Sequence, residues 1–245
     1  MSVINEWLKK QKKLHFSLID PDKQSPEEAG EKARICQSYG TNAIMVGGTT
    51  VSSRKMVYET VAEIKKKVSI PVILFPNSGK FLVDNADYLF FMMLLNSKDY
   101  RHKFGEQLEG AIIVKKLGIK PIPTGYLIVS TSSIPTTVEK KTILDKVGND
   151  DIEKAVKYAL YTEYTGMHCL YMDAGSNPQQ PISNEMIKAV RKEISIPLII
   201  GGGIRDAETA KQKIQAGADV IVTGTLLEKN VESIEEIIKG IKGGK

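Results

Sequence analysis

The sequence predicts an α/β protein, a single (βα)8 barrel of the TIM type. Three observations carry that prediction. Eight short runs rich in apolar and β-branched residues recur along the chain, and strands buried on both faces of a parallel sheet read as such near-continuous runs. The segments between them carry helix caps and helical periodicity. The length, 245 residues, allows one large domain or two small ones, and no interdomain linker or low-complexity segment divides the chain.

Each element follows in order. An amphipathic surface helix is expected over about residues 2–13, and the barrel over about 14–242, so that residues 1–245 form one domain. Strands are expected at 15–20, 43–47, 71–75, 87–95, 124–130, 168–174, 197–202 and 219–224. Ser25-Pro26-Glu27-Glu28 supplies an N-cap, a proline at the first helical position and a capping box, with Gly40 as the stop. Further helices are expected at 53–67, 98–117, 149–164, 183–193, 206–216 and 233–242, four of them with a glycine or a capping box at one end. Two intervals break the pattern. Only eleven residues separate Phe75 from Asp87, and they include Pro76, Asn77 and Gly79. A parallel crossover needs about a dozen residues or more, so the third helix is expected to be missing or replaced by an extended segment. Residues 131–148, after the fifth strand, form the opposite case, a long connection of the kind that often carries function.

Composition excludes several classes. Lys and Arg number 34 against 29 Asp and Glu, a net charge of +5, with 42% hydrophobic and 26% charged residues. The longest apolar run, 88–95, is far short of the roughly 18 residues of a membrane span, so stable membrane insertion is not expected. The first residues lack the apolar stretch of a secretory signal. Cys36 and Cys169 fit no metal or redox spacing and read as free thiols of a cytoplasmic protein. His15, His102 and His168 form no ligand set. The lysine runs are short and scattered rather than a stripe with interleaved aromatics, which argues against a nucleic-acid partner.

Four segments carry chemistry. Gly201-Gly202-Gly203-Ile204-Arg205-Asp206 leads from strand seven into a helix capped by Asp206, and Thr223-Gly224-Thr225 ends strand eight. In a barrel these loops face each other, and their glycines let backbone N–H groups approach a phosphate monoester. Tight turns are the plainer reading of the same glycines. Tyr171-Met172-Asp173-Ala174-Gly175-Ser176-Asn177 ends strand six, where Asp173 can accept a hydrogen bond from a substrate hydroxyl or merely cap the next turn. Ser17-Leu18-Ile19-Asp20-Pro21-Asp22-Lys23 ends strand one, with Gly47-Gly48-Thr49-Thr50 next door. Two carboxylates leaving a strand suit a hard cation held against substrate phosphates, with Asp20 the better ligand; turn chemistry about Pro21 competes with this. Residues 88–95 are expected to pack the barrel wall, and some of them, with Tyr126 and the 131–148 segment, to line an apolar groove. No nucleophile–base arrangement is readable.

Together, LIDPDK (18–23), VGGTT (46–50), YMDAGSN (171–177), GGGIRDAETA (201–210) and VTGT (222–225) resemble the geranylgeranylglyceryl phosphate synthase family, whose bacterial relatives include heptaprenylglyceryl phosphate synthase. The resemblance runs in order from strand one to strand eight, and the family's barrel also lacks a regular third helix. It implies transfer of a polyprenyl group from its diphosphate to the sn-3 hydroxyl of sn-glycerol 1-phosphate, with Mg²⁺, to give an ether-lipid precursor. Carried over, Asp20 and Thr49 hold Mg²⁺. Tyr171, Met172, Asp173, Ala174, Gly175, Ser176 and Asn177, with Gly202, Gly203, Gly224 and Thr225, bind glycerol 1-phosphate, and Asp173 is the catalytic residue. Two departures stand out: Asp173 replaces the family's usual Glu, and Asn177 a common glycine. Leu18 stands where the shorter heptaprenyl type has Lys, which places the chain with the longer subgroup. A homo-oligomer, dimer or hexamer, is expected.

Two other readings use the same loops. A phosphosugar or phosphoribosyl isomerase shares the phosphate site but wants paired acid and base residues on opposite strands. A non-catalytic glycerol-phosphate sensor would bind the phosphate and make no product.

Overall fold

The computed structural model describes residues 2–244. Eight parallel strands close into a barrel in sequence order: β1 (Leu14–Ile19), β2 (Ala43–Gly47), β3 (Val72–Phe75), β4 (Tyr88–Leu94), β5 (Lys120–Ile128), β6 (Cys169–Asp173), β7 (Leu198–Gly201) and β8 (Val220–Thr223), with β8 pairing back to β1. Helices α2 (Pro26–Tyr39), α3 (Arg54–Lys67), α4 (Glu106–Leu117), α6 (Ile152–Tyr164), α7 (Asn184–Glu193), α8 (Ala207–Ala216) and α10 (Ser233–Gly243) surround it. The capping box at Ser25 and Glu28 forms as expected, and Gly40 ends α2 in the left-handed conformation at φ +108°.

Side chains sort by the two-residue period of the strands. Phe16, Met45, Ile73, Phe90, Tyr171 and Ile199 point into the barrel and fill it. The alternate residues meet the helices in two outer clusters, one under α2 and α3, the other under α6, α7 and α8. The N-terminal helix α1 (Val3–Lys10) is more than a surface helix. Its Ile4 is fully buried and its Trp7 stacks edge-on against Phe16 (6.0 Å) and Tyr88 (5.4 Å), closing the N-terminal mouth of the barrel.

The short interval after β3 holds no α-helix. A single 3₁₀ turn, Gly79–Phe81, stands in its place, followed by buried Leu82 and Val83. Five details differ from the sequence reading. β5 starts four residues early, through Pro121 and Pro123, which pair with Leu89 and Phe91. Proline lacks a donor but keeps its acceptor, and the Pro123 carbonyl takes the His168 N–H at 2.7 Å. The helix expected from residue 98 begins as a π-helical turn, Arg101–Gly105. The helix expected from 149 begins at Ile152. The long segment 131–148 contains α5 (Thr137–Lys141), started by a Thr136–Glu139 capping box. A second short helix, α9 (Thr225–Lys229), follows β8 directly.

Candidate active site

The C-terminal ends of β1, β6, β7 and β8 surround a polar cavity of about 120 Å³. Tyr171, Asp173, Gly175, Ser176 and Asn177 line one side of it, Gly202, Gly203, Gly224 and Thr225 the other, and Asp20 reaches it from β1. The backbone there is glycine-dependent. Gly202 and Gly203 have φ of +81° and +75°. A Cβ at 202 would lie 2.9 Å from Asp173 Oδ1, and one at 203 would lie 2.8 Å from the Pro181 nitrogen. Two successive left-handed glycines turn peptide groups toward one point, the geometry of an anion-binding concavity. Arg205, two residues further, adds a cationic wall. It stands inside the GGGIRD motif, yet sequence reasoning passed over it because a single Arg before a helix is common.

Met172 and Ala174 do not join the cavity. Both are buried in the outer core cluster that also holds Ile182 and Met186. Met172 alternates to the opposite face of β6 from Tyr171 and Asp173, a consequence of strand periodicity within a motif read as one block.

Asp173 is 8% exposed. Its Oδ1 accepts the Gly175 N–H at 2.9 Å and its Oδ2 accepts the Tyr126 hydroxyl at 2.7 Å. Burial pushes its pKa above the ordinary carboxylate range, and the two donors oppose that shift. Tyr126 itself is held well above the usual phenol range by burial and by the Asp173 charge. Its ring meets Phe75 edge-on (5.5 Å) and Tyr171 at a tilt (5.2 Å).

Beyond Tyr126 lies a second, larger cavity of about 520 Å³. It occupies the place the third helix leaves open, between β3, β4, the 3₁₀ turn and α4. Phe75, Leu82, Leu89, Phe90, Met92 and Tyr126 line it, with Val138 of α5 at the edge, as the sequence suggested for this wall. The Glu106 carboxylate fastens the outer wall, accepting from Ser78 Oγ (2.9 Å), Gly79 N (3.0 Å) and Arg101 Nε (2.7 Å). Lys80, Arg101 and Lys141 place cationic groups on it, and His102 also lines it.

Asp20 and Thr49 stand at the junction of the two cavities, Asp20 on the polar one and Thr49 on the apolar one. The Asp20 Oδ1 is buried with no hydrogen-bond partner. A Cβ at Gly48 would fall 1.4 Å from that oxygen, so glycine there makes room for the carboxylate. Burial, then the neighbouring Asp22 and Glu228 carboxylates, push its pKa up to about 7, while Lys23 opposes them. An orphaned buried oxygen amid acidic neighbours fits a bound cation. Cys36 and Cys169 are buried free thiols with pKa values pushed up to about 11 and about 12 by burial. Among the described residues no helix is long and apolar enough to cross a membrane.

Known proteins resemble this arrangement closely. A family model described as the PcrB family matches residues 5–244. The geranylgeranylglyceryl phosphate synthase of Pyrococcus horikoshii is 45% identical over 239 residues, covering 98% of this chain and 92% of that one. The crystal structure of (S)-3-O-geranylgeranylglyceryl phosphate synthase from Thermoplasma acidophilum, in complex with substrate sn-glycerol-1-phosphate, superposes with a TM-score of 0.94 at 36% identity, covering 99% of each chain. The wild-type enzyme of the same kind from Thermoplasma volcanium superposes with a TM-score of 0.91 at 37% identity, covering 100% of this chain and 97% of the other. With the whole barrel matched from the first helix to the last, the chain belongs to the PcrB family.

Proposed function

We propose that the chain is a geranylgeranylglyceryl phosphate synthase, which transfers a geranylgeranyl or similar polyprenyl group from its diphosphate to the sn-3 hydroxyl of sn-glycerol 1-phosphate. The observation that carries the reading is the pair of adjoining cavities, one small, polar and glycine-walled, the other larger and apolar, with Asp173 and Tyr126 at their boundary.

In this reading Gly202, Gly203, Gly224 and Thr225 hold the phosphate, with Arg205 beside them. The glycerol hydroxyl then points to Asp173, and the polyprenyl chain lies along the groove. Holding both substrates so converts a bimolecular encounter into a near-unimolecular step. The allylic C–O bond to the diphosphate breaks, the bond to the acceptor oxygen forms, and the hydroxyl proton passes to the Asp173 carboxylate. A base whose pKa is raised toward neutrality suits that transfer. The aromatic wall of Phe75, Phe90 and Tyr126 keeps water from the developing carbocation, which would otherwise end as the free alcohol. Asp20 and Thr49 are the residues that would hold Mg²⁺, and the fit rests on the orphaned Asp20 oxygen. A divalent cation there would stabilise charge building on the departing diphosphate. We place the enzyme in the cytoplasm. Its proposed assembly is a dimer or hexamer, for which exposed Leu108 (54%) and Ile112 (65%) on α4 offer a contact face.

The test is incubation with labelled sn-glycerol 1-phosphate, Mg²⁺ and a series of prenyl diphosphates, then extraction into organic solvent. Label that moves to the organic phase only with metal and donor present is the expected result. Binding of glycerol 1-phosphate with no extracted label for any donor would instead point to a sensor.

A further inference from the structure

We infer that His15 is a positioning residue for the phosphate-binding loop and acts through Thr223, an inference that rests on the glycerol 1-phosphate reading above. His15 lies on β1, out of phase with Phe16, so its ring turns away from the barrel interior, and it is 1% exposed. Its Nε2 meets Thr223 Oγ1 at 2.9 Å and its Nδ1 meets Thr41 Oγ1 at 2.9 Å. Ser17 Oγ, two positions along the same face of β1, meets Thr41 Oγ1 at 3.0 Å and also bonds the Cys36 thiol of α2. His15, Ser17, Thr41 and Thr223 thus form a buried polar strip between the sheet and the helices, a layer that apolar residues fill elsewhere.

Two ordinary reasons for the strip fail. Stability does not call for it, since replacing bonded buried partners by apolar groups of the same shape is close to neutral. Charge does not call for it either. Burial holds the His15 pKa down at about 3, so the ring is neutral and adds nothing to the attraction of an anion.

What the ring does hold is the end of β8. The β1–β8 ladder stops at the Ser17–Thr223 pair, although β1 itself runs on to Ile19. Beyond Thr223 the backbone turns at once through Gly224 (φ −126°, ψ −72°) into α9. Thr223, Gly224 and Thr225 all line the polar cavity. Thr223 is therefore the last residue before the phosphate loop that the ladder fixes, and its side chain is tied to the imidazole. Through Thr41, in the corner between α2 and β2, the imidazole braces that loop against a neighbouring part of the barrel. Groups that bind a ligand need such support to stay within a fraction of an ångström of their working place.

The two ring nitrogens can be tested apart. Glutamine places an amide near the position of Nε2 and asparagine one near the position of Nδ1, and either amide can donate or accept. His15→Gln therefore keeps the Thr223 bond and loses the Thr41 bond, and His15→Asn does the reverse. The experiment measures binding of sn-glycerol 1-phosphate to the full chain by calorimetry, in wild type and variants, with melting temperatures and transfer assays alongside. His15→Asn is expected to bind about tenfold more weakly and His15→Gln within about threefold of wild type, while the two melt at similar temperatures. Thr223→Val cuts the same bond from the other side and is expected to match the His15→Asn loss, whereas Thr223→Ser keeps the hydroxyl and the affinity. Combining His15→Asn with Thr223→Val is expected to cost no more than either alone. No loss in His15→Asn, equal loss in His15→Asn and His15→Gln, or additive losses in the double variant overturns the assignment. Wild type that binds glycerol 1-phosphate but forms no ether product with any prenyl diphosphate defeats the transferase reading and leaves the binding comparison valid; wild type that binds no glycerol 1-phosphate overturns both.

Discussion

The Tyr126 hydroxyl donates to Asp173 Oδ2 at 2.7 Å, and the two residues belong to different cavities, Tyr126 to the apolar groove and Asp173 to the polar pocket. The bond therefore joins the two half-sites at the point where the new ether bond would form. Asp173→Asn keeps the shape but not the base. Its turnover is predicted to fall about 10²–10⁴-fold, as for loss of a general base. Near-full turnover in that variant would leave Asp173 a positioning role alone.

Tyr126→Phe removes a donor to a buried carboxylate, and such a donor favours the charged form. The Asp173 pKa then rises further. The acidic limb of the kcat/KM–pH profile is predicted to move to higher pH in Tyr126→Phe, and a profile with an unmoved acidic limb would show that Asp173 is not the group titrating.

Asp20 offers a test that needs no substrate. With a pKa of about 7 in the fold against about 3.9 unfolded, the native chain binds the extra proton between those values. Stability of the metal-free protein should thus fall as pH rises from about 4 to about 7, with the penalty fully present above. Asp20→Asn removes this contribution and should be the more stable protein at pH 8. Mg²⁺ should raise the melting temperature of wild type at that pH and not of the variant if Asp20 is the ligand proposed above, since a ligand that binds only the native state stabilises it. Differential scanning calorimetry across pH reads both effects.

Gly203→Ala forces a side chain into φ +75° and to within 2.8 Å of the Pro181 nitrogen. The strain is worth on the order of 1–3 kcal/mol. The prediction is a lower melting temperature and at least about tenfold weaker glycerol 1-phosphate binding, with donor binding unchanged. Weakened donor binding instead would put the phosphate loop on the wrong substrate.

Glu106→Ala makes the complementary cut. It leaves Ser78 Oγ, Gly79 N and Arg101 Nε without their carboxylate. Hydrogen bonds to a charged group are worth about 1.5–3 kcal/mol each before relaxation. The groove wall should loosen, so that KM for the prenyl donor rises and KM for glycerol 1-phosphate does not.

Much of this was legible in the sequence because it is local. The Ser25–Glu28 box, the apolar runs and the eleven-residue interval before β4 each carry their signal within a few positions, and that interval marks the missing third helix whose place the groove takes. The Thr136–Glu139 box of α5 was equally local, but Pro135 and the serines before it read as loop. Pro121 and Pro123 hid the start of β5, since a missing donor argues against a strand while a surviving carbonyl leaves no trace in sequence. The Tyr126–Asp173 bond was not legible at all. Its partners are 47 residues apart, and only the β5–β6 register, Ile128 opposite Asp173, brings them to one rim. Gly48 and Asp20 meet for the same kind of reason, through pairing of β1 with β2.

The measurement that bears most directly on the two-cavity account is a crystal structure of the chain with sn-glycerol 1-phosphate and an unreactive thiol-linked analogue of geranylgeranyl diphosphate bound together. The account predicts phosphate against the Gly203 and Gly224 loops, the glycerol hydroxyl at Asp173, and the prenyl chain in the groove. A prenyl chain lying outside that groove, or a glycerol hydroxyl turned away from Asp173, would contradict it.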